Sequence, residues 1–178
     1  MKEEIIIAGF GGQGVLSMGK ILAYAGLMEG LEVTWMPSYG PEQRGGTANV
    51  TVILSDRSIS SPVLNSYDTA VLLNQQSLDK FESRVKPGGT LIYDTYSIHH
   101  APTRTDINIV PVEAMEATFE IGNSKSYNMV LLGSLIKVRP LVSVEGVMKG
   151  LKKTLPERLH HLLPVNKQAI LRGLELPK

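Results

Sequence analysis

The feature that most constrains this chain is a strand that runs straight into a glycine cluster, which in turn opens a helix. Residues 4–8 carry Ile5-Ile6-Ile7, a β-branched apolar run that reads as a buried parallel strand. Gly9-Phe10-Gly11-Gly12-Gln13-Gly14 follows, with the spacing G-x-G-x-x-G. Val15, Leu16, Met18, Gly19, Leu22, Ala23 and Gly26 then recur at helical spacing to about Met28, and Gly30 ends the helix. Residues 33–36 read as the next strand. A β–turn–α–β opening of this kind commits the chain to an α/β architecture. The expected fold is Rossmann-like and doubly wound, a mostly parallel sheet with helices on both faces.

The remainder fits one domain spanning residues 1–178, with no internal repeat or linker. Residues 47–54 alternate and are β-rich, and a short partner strand around Ile59 would complete a β-hairpin insertion. Further strands are expected at 69–73, 90–93 and 107–110, the second of these three after a Pro87-Gly88-Gly89 turn. Helices are expected near 77–85, 112–118, 127–138, 144–155 and 164–171. Val144, Val147, Met148, Leu151 and Leu155 share one face, with Ser143 as N-cap.

There is no cysteine among the 178 residues. That excludes thiolate catalysis, disulfides, cysteine-type zinc sites and any cysteine-ligated iron–sulfur cluster on this chain. Residues 1–150 carry 12 basic and 15 acidic side chains, whereas residues 151–178 carry 6 basic and 2 acidic. The basic C-terminal segment has no interleaved aromatic residues, which argues against nucleic-acid binding and for a solvated face. No apolar run approaches a membrane span, and the charged start leads directly into a strand, so the expected location is cytoplasmic.

Two loops can carry chemistry. In the 9–14 turn, the first glycine permits the tight turn and the second lets a phosphate approach the backbone. The third lets helix and strand pack closely, and the helix N-terminus attracts an anion. Gln13 either bonds a ligand or caps the helix. The acidic residue that reads a dinucleotide ribose should end the second strand, yet that strand ends in Met36-Pro37-Ser38, with Glu32 before it. The second loop is Ser38-Tyr39-Gly40-Pro41-Glu42-Gln43-Arg44-Gly45-Gly46-Thr47, expected at the carboxyl edge of the sheet beside the first turn. There Arg44 either grips a phosphate bidentately between glycines or pairs with Glu42 or a partner. His99-His100 and His160-His161 are adjacent pairs whose side chains diverge, so neither is a metal clamp. Asp94 is expected to cap a helix or turn. Lys125 and Asn128 flank a helix start and either join the ligand site or serve capping and packing.

The two loops together resemble the gamma subunit of 2-oxoacid:ferredoxin oxidoreductases. So do Tyr127-Asn128-Met129-Val130-Leu131-Leu132-Gly133 and the C-terminal Asn166, Ala169 and Gly173, so the resemblance covers essentially the whole chain. The Gly-Pro-Glu-x-Arg-Gly-Gly form of the second loop resembles the 2-oxoglutarate branch. The resemblance implies a heteromeric oxidoreductase that decarboxylates a 2-oxoacid to its acyl-CoA and passes electrons to ferredoxin. Thiamine diphosphate, magnesium and the iron–sulfur clusters would sit on alpha, beta and ferredoxin-like delta partner subunits. This chain would support assembly and coenzyme A binding and be inactive in isolation. Gly9, Gly11, Gly12, Gln13, Gly14, Ser38, Tyr39, Arg44, Gly45 and Gly46 are the expected contacts to coenzyme A, with no catalytic residue and no metal ligand. The competing expectations are a free-standing dinucleotide-binding oxidoreductase and a purely structural subunit.

Overall fold

The computed structural model describes residues 1–39 and 46–178. Arg44 and Gly45 of the second loop therefore lie outside the described residues. The strands are β1 (Lys2–Phe10), β2 (Glu32–Tyr39), β3 (Thr47–Ser55), β4 (Tyr67–Leu72), β5 (Val85–Asp94) and β6 (Asn108–Val112). The helices are α1 (Val15–Met28), α2 (Gln75–Phe81), α3 (Ala114–Ile121), α4 (Tyr127–Val138), α5 (Val144–Thr154) and α6 (Leu163–Glu175).

The strands form one sheet in the order β2-β3-β1-β4-β5-β6. Only β3 runs against the others, pairing antiparallel with both β1 and β2. The expected mostly parallel α/β sheet with a hairpin is thus present, but the hairpin is β2–β3. No strand forms around Ile59. Both edges of β3 are already occupied, by β1 from Thr47 to Ser55 and by β2 from Ala48 to Ser55, which leaves no backbone edge for a third partner. Leu64, in the same connection, instead packs on the core. The Pro87-Gly88-Gly89 stretch is also not a free turn. It lies within β5, where the register against β4 shifts between Tyr67 and Thr69 and Gly88 takes φ +75°. Consequently α2 stops at Phe81, because the chain must already be extended at Val85 to pair with Tyr67.

The unbroken apolar character of β1 follows from burial of both faces of the sheet. Ile5 and Ile7 join the larger core with α1, α3, α4, α5 and α6. Ile6 and Ala8 point the other way, into a smaller core with Leu78 and Phe81 of α2. Helices therefore cover both faces unequally. α4 is buried from Tyr127 to Ile136, which explains its lack of a polar stripe. Its closest neighbour is α6: a Cβ on Gly133 would fall on the Ile170 carbonyl oxygen, and one on Gly173 on the Val130 carbonyl oxygen. The Ser134 hydroxyl donates to the Gly173 carbonyl at 2.9 Å across this crossing. No described helix is long and apolar enough to cross a membrane.

Candidate functional site

β1 and β4 are adjacent and parallel, but the helices that follow them take opposite faces. α1 lies on the face of the larger core and α2 on that of the smaller. This divergence makes the β1–β4 boundary a topological switch point, where α/β sheets open a crevice at their carboxyl edge. The 9–14 turn sits at that edge.

The turn is built by short-range constraints. Gly12 (φ +96°) and Gly14 (φ +77°) occupy left-handed conformations that other residues resist. Gly9 is needed for a different reason: a Cβ there would lie 2.5 Å from the Gln13 Oε1 and 2.9 Å from the Leu73 Cβ. Gln13 braces the structure. Its Oε1 accepts from the Phe10 N–H at 2.6 Å, and its Nε2 donates to the Leu73 carbonyl at 3.3 Å, bridging the ends of β1 and β4. Gly14 is the N-cap of α1 and offers no side chain, and no acidic residue stands in the first turn. The leading N–H groups of α1 have no intrahelical acceptor, and the positive end of the helix dipole lies with them.

Gly46 reaches the turn from the second loop. Its carbonyl accepts from the Gly11 N–H at 2.9 Å, so the structure brings the two glycine loops together. Gly11 is exposed, and among the described residues a Cβ on it would meet only the Gly46 oxygen, at 3.7 Å. Ser38 and Tyr39 end β2, which β3 separates from β1. Both are exposed, Tyr39 by 70%.

Asn128, in the first turn of α4, completes the site from below. Its Nδ2 donates to the Gly14 carbonyl at 3.1 Å, and the Asn128 side chain occupies the space that a Gly14 Cβ would need. Lys125, in the 3₁₀ turn before α4, is exposed. Asp94 is fully buried and caps α3: its Oδ1 accepts from the Ala114 and Met115 N–H groups at 3.2 and 3.4 Å. Its Oδ2 accepts from the Tyr127 hydroxyl at 2.8 Å. Burial, together with the Asp94 charge, pushes the Tyr127 phenol far above its ordinary pKa. Among the described residues no cluster of three metal-ligating side chains forms, and the backbone N–H groups of His99 and His100 are both held by Gln75 Oε1.

The structure adds Asn74, which sequence reasoning passed over. It follows Leu73 at the end of β4 and caps α2, its Oδ1 accepting from the Ser77 N–H at 2.8 Å. Its Nδ2 is buried without a partner among the described residues. The signal was present as an Asn directly after an apolar strand and three residues before Ser77.

Comparison with known proteins places this geometry. The sequence model of the pyruvate ferredoxin/flavodoxin oxidoreductase family matches residues 4–176. Ketoisovalerate oxidoreductase subunit VorA of Methanothermobacter marburgensis is 42% identical over 133 residues, 75% of this chain but 28% of that protein. The chain thus spans under a third of that relative. 2-Oxoglutarate synthase subunit KorC of the same organism is 36% identical over 163 residues, 88% of each chain. Among solved structures, the gamma subunit of a keto/oxoacid ferredoxin oxidoreductase from Geobacter sulfurreducens superposes with a TM-score of 0.86 at 28% identity, covering 100% of this chain and 99% of that one. A 2-oxoglutarate:ferredoxin oxidoreductase from Magnetococcus marinus, with 2-oxoglutarate, coenzyme A and succinyl-CoA bound, superposes at 0.87 with 25% identity, covering 97% of this chain and 30% of that one.

Proposed function

As the chain belongs to the pyruvate ferredoxin/flavodoxin oxidoreductase family, we propose that it is the gamma subunit of a heteromeric 2-oxoglutarate:ferredoxin oxidoreductase and supplies part of its coenzyme A site. The similarity to a 2-oxoglutarate synthase subunit over 88% of each chain supports the choice of 2-oxoacid. The chain has no cysteine, so the iron–sulfur clusters belong to partner subunits. Thiamine diphosphate and magnesium are assigned to partners as well, and the complex is cytoplasmic.

The single observation that carries the ligand reading is the pairing of Gly11 with Gly46 at the β1–β4 switch point. Gly46 meets the glycine turn there, just before the start of α1, which has no acidic side chain in its first turn. Backbone N–H groups and a helix dipole suit a phosphate-bearing ligand. In this reading Gly11, Gly12, Gly14 and Gly46 give phosphate oxygens close access to the backbone. Gln13 fixes the turn, and Ser38, Tyr39, Arg44 and Gly45 contact the remainder of the ligand. The dinucleotide alternative fits less well. β3 separates the end of β2 from the 9–14 turn, so the position that would read a ribose is displaced by one strand.

The test is to purify the tagged chain anaerobically with its partners, assay several 2-oxoacids, and measure coenzyme A binding with Gly11→Ala. Among the described residues that methyl group would meet only the Gly46 oxygen, at 3.7 Å, an ordinary contact that the fold tolerates. Recovery of thiamine-diphosphate and ferredoxin-like subunits, 2-oxoglutarate as best substrate, and weaker coenzyme A binding by Gly11→Ala are expected. A chain that purifies alone with bound nucleotide would favour the free-standing oxidoreductase. An assembled complex whose coenzyme A affinity ignores Gly11→Ala would leave the loops a purely structural role.

A further inference from the structure

The chain's excess of positive charge lies in residues 151–178, and the fold carries part of it to the edge that holds the glycine turn. α5 packs antiparallel to α1. Glu29, just past the end of α1, accepts from the Ser143 N–H at 2.8 Å and its hydroxyl at 2.6 Å, at the start of α5. Further along, Gly150 packs on the α1 backbone at Ile21. The end of α5 therefore points along the N-terminal half of α1, toward the edge that holds the glycine turn. Lys152 and Lys153 occupy that last turn and are exposed. His160 holds the following 3₁₀ segment against the same helix end, its Nε2 lying 3.1 Å from the Lys152 carbonyl oxygen and 3.0 Å from that of Leu155, and this keeps exposed Arg158 nearby. On the other side of the turn, exposed Lys125 precedes Asn128, which touches Gly14.

Among the described residues none of these four cations forms an ion pair, whereas Lys149, one turn back on α5, is paired with Glu145 at 2.8 Å. The contrast with the opposite edge of the sheet is direct. There Lys86 lies 2.5 Å from Glu4 and 2.7 Å from Asp68, and Arg139 pairs with Glu3. The amino edge pairs its charges, whereas these four cations have no ion-pair partner among the described residues; the acids on their side of the sheet are Glu157 beside Arg158 and exposed Glu113 and Glu116 at the start of α3.

We infer that Lys125, Lys152, Lys153 and Arg158 form an electrostatic rim that steers a polyanionic ligand into the glycine turn. The inference rests on the coenzyme A reading of that site and deepens it: the rim selects for the phosphorylated nucleotide end of the ligand. The four residues are spread over two sides of the turn and do not converge on one point, so they act on the approach of the anion rather than as a second binding pocket. Fields of this kind raise association rates by about 10- to 1,000-fold and weaken steeply with salt. The screening length falls from roughly 30 Å at 0.01 M to about 8 Å at 0.15 M ionic strength.

The experiment measures association and dissociation rates of coenzyme A with the assembled complex by stopped flow across ionic strength. It compares the native chain with Lys152→Gln/Lys153→Gln/Arg158→Gln. Pantetheine, which lacks the phosphorylated nucleotide, serves as the second probe. The association rate for coenzyme A should fall about 5- to 10-fold at low salt. Its dissociation rate should not change, the difference should vanish at high salt, and pantetheine should be unaffected. The charge-keeping variant Lys152→Arg/Lys153→Arg/Arg158→Lys should behave as the native chain. An unchanged association rate and salt slope in the Gln variant, with Gly11→Ala still weakening coenzyme A, would overturn steering and leave the site standing. An equal loss for pantetheine would also overturn it. If Gly11→Ala has no effect on coenzyme A either, the site reading falls and the rim falls with it.

Discussion

The Asn128 carboxamide donates to the Gly14 carbonyl at 3.1 Å, joining residues separated by 114 positions in the chain. The same carbonyl accepts from the Met18 N–H at 2.9 Å. Gly14 is thus held by the first turn of its own helix and by the first turn of α4. The position of the α1 N-terminus, and with it the anion-attracting end of the dipole, depends on this tie. Asn128→Ala should cost about 1–2 kcal/mol by leaving the carbonyl with one partner fewer and a small cavity beneath it. Asn128→Asp should cost more, since it sets a carboxylate against a carbonyl oxygen. Thermal unfolding of the complex checks the order native, Ala, Asp. A stability unchanged by both would show that the tie does not hold the turn.

The crossing of α4 and α6 makes a sharper prediction. Gly133 and Gly173 face each other, and each would drive a Cβ into a carbonyl oxygen of the opposite helix. Backbone cannot yield as a side-chain tip can, so Gly133→Ala or Gly173→Ala should destabilise by about 3 kcal/mol or more, at the upper end of overpacking costs. Gly11→Ala, where the nearest atom among the described residues would be 3.7 Å away, should leave the melting temperature nearly unchanged. Denaturant titration of the three variants tests this. A mild Gly133→Ala would mean the helices can separate without loss.

What the sequence disclosed and what it withheld divide along locality. β1, the 9–14 turn and α1 follow from residues adjacent in the chain. So do α4, found from Tyr127 to Val138 as expected, and the Ser143 cap, whose hydroxyl accepts from the Gly146 N–H at 3.0 Å. The Ile59 strand failed because pairing is not local. Whether β3 takes a downstream partner depends on β1 and β2 already flanking it. The second loop was legible as a neighbour of the 9–14 turn and Asn128 as a residue that either joins the site or packs, but the particular Gly11–Gly46 and Asn128–Gly14 hydrogen bonds were not, because each joins residues far apart in the chain. Asp94 lay between these cases. Its place after a strand suggested capping, but only the fold shows the capped helix to be α3, twenty residues on.

Acid should weaken the amino edge of the sheet. Burial pushes the Glu4 carboxyl up, but hydrogen bonds and charge from Lys2 and Lys86 outweigh it and hold the pKa below the ordinary value. A carboxyl depressed in the fold contributes stability above its unfolded pKa, and that contribution is lost as pH falls through the folded value. The window therefore begins near the ordinary Glu range, about pH 4.5, and extends below it. For Lys86 burial lowers the pKa, while Asp68 and Glu4 together raise it, so its share is present at neutral pH and lost only at strongly alkaline pH. Lys86 is 36% exposed, so solvent screening limits the pair to about 1 kcal/mol or less. Lys86→Met should lower stability at pH 7 by that order and flatten the fall between pH 5 and 3, roughly the range of carboxylate titration. Urea unfolding at a series of pH values measures both. Parallel pH profiles for native and Lys86→Met would refute the assignment.

Asn74 separates two roles within one carboxamide. Its Oδ1 caps α2 through the Ser77 N–H, while its Nδ2 is buried with no acceptor among the described residues. A lost cap costs about 1 kcal/mol, and a stranded buried donor costs about 1–3 kcal/mol. Asn74→Ala removes both groups, Asn74→Ser keeps a capping oxygen while removing the amide donor, and Asn74→Asp keeps the cap but buries a charge. If the donor is as unpaired in solution as in the structure, Asn74→Ser should be as stable as the native chain or more so. Asn74→Asp should be the least stable of the three near neutral pH and recover as the carboxyl is protonated. Melting temperatures of the three variants at pH 5 and pH 8 decide it. A serine variant markedly less stable than the native chain would show that the Nδ2 group has a partner in solution.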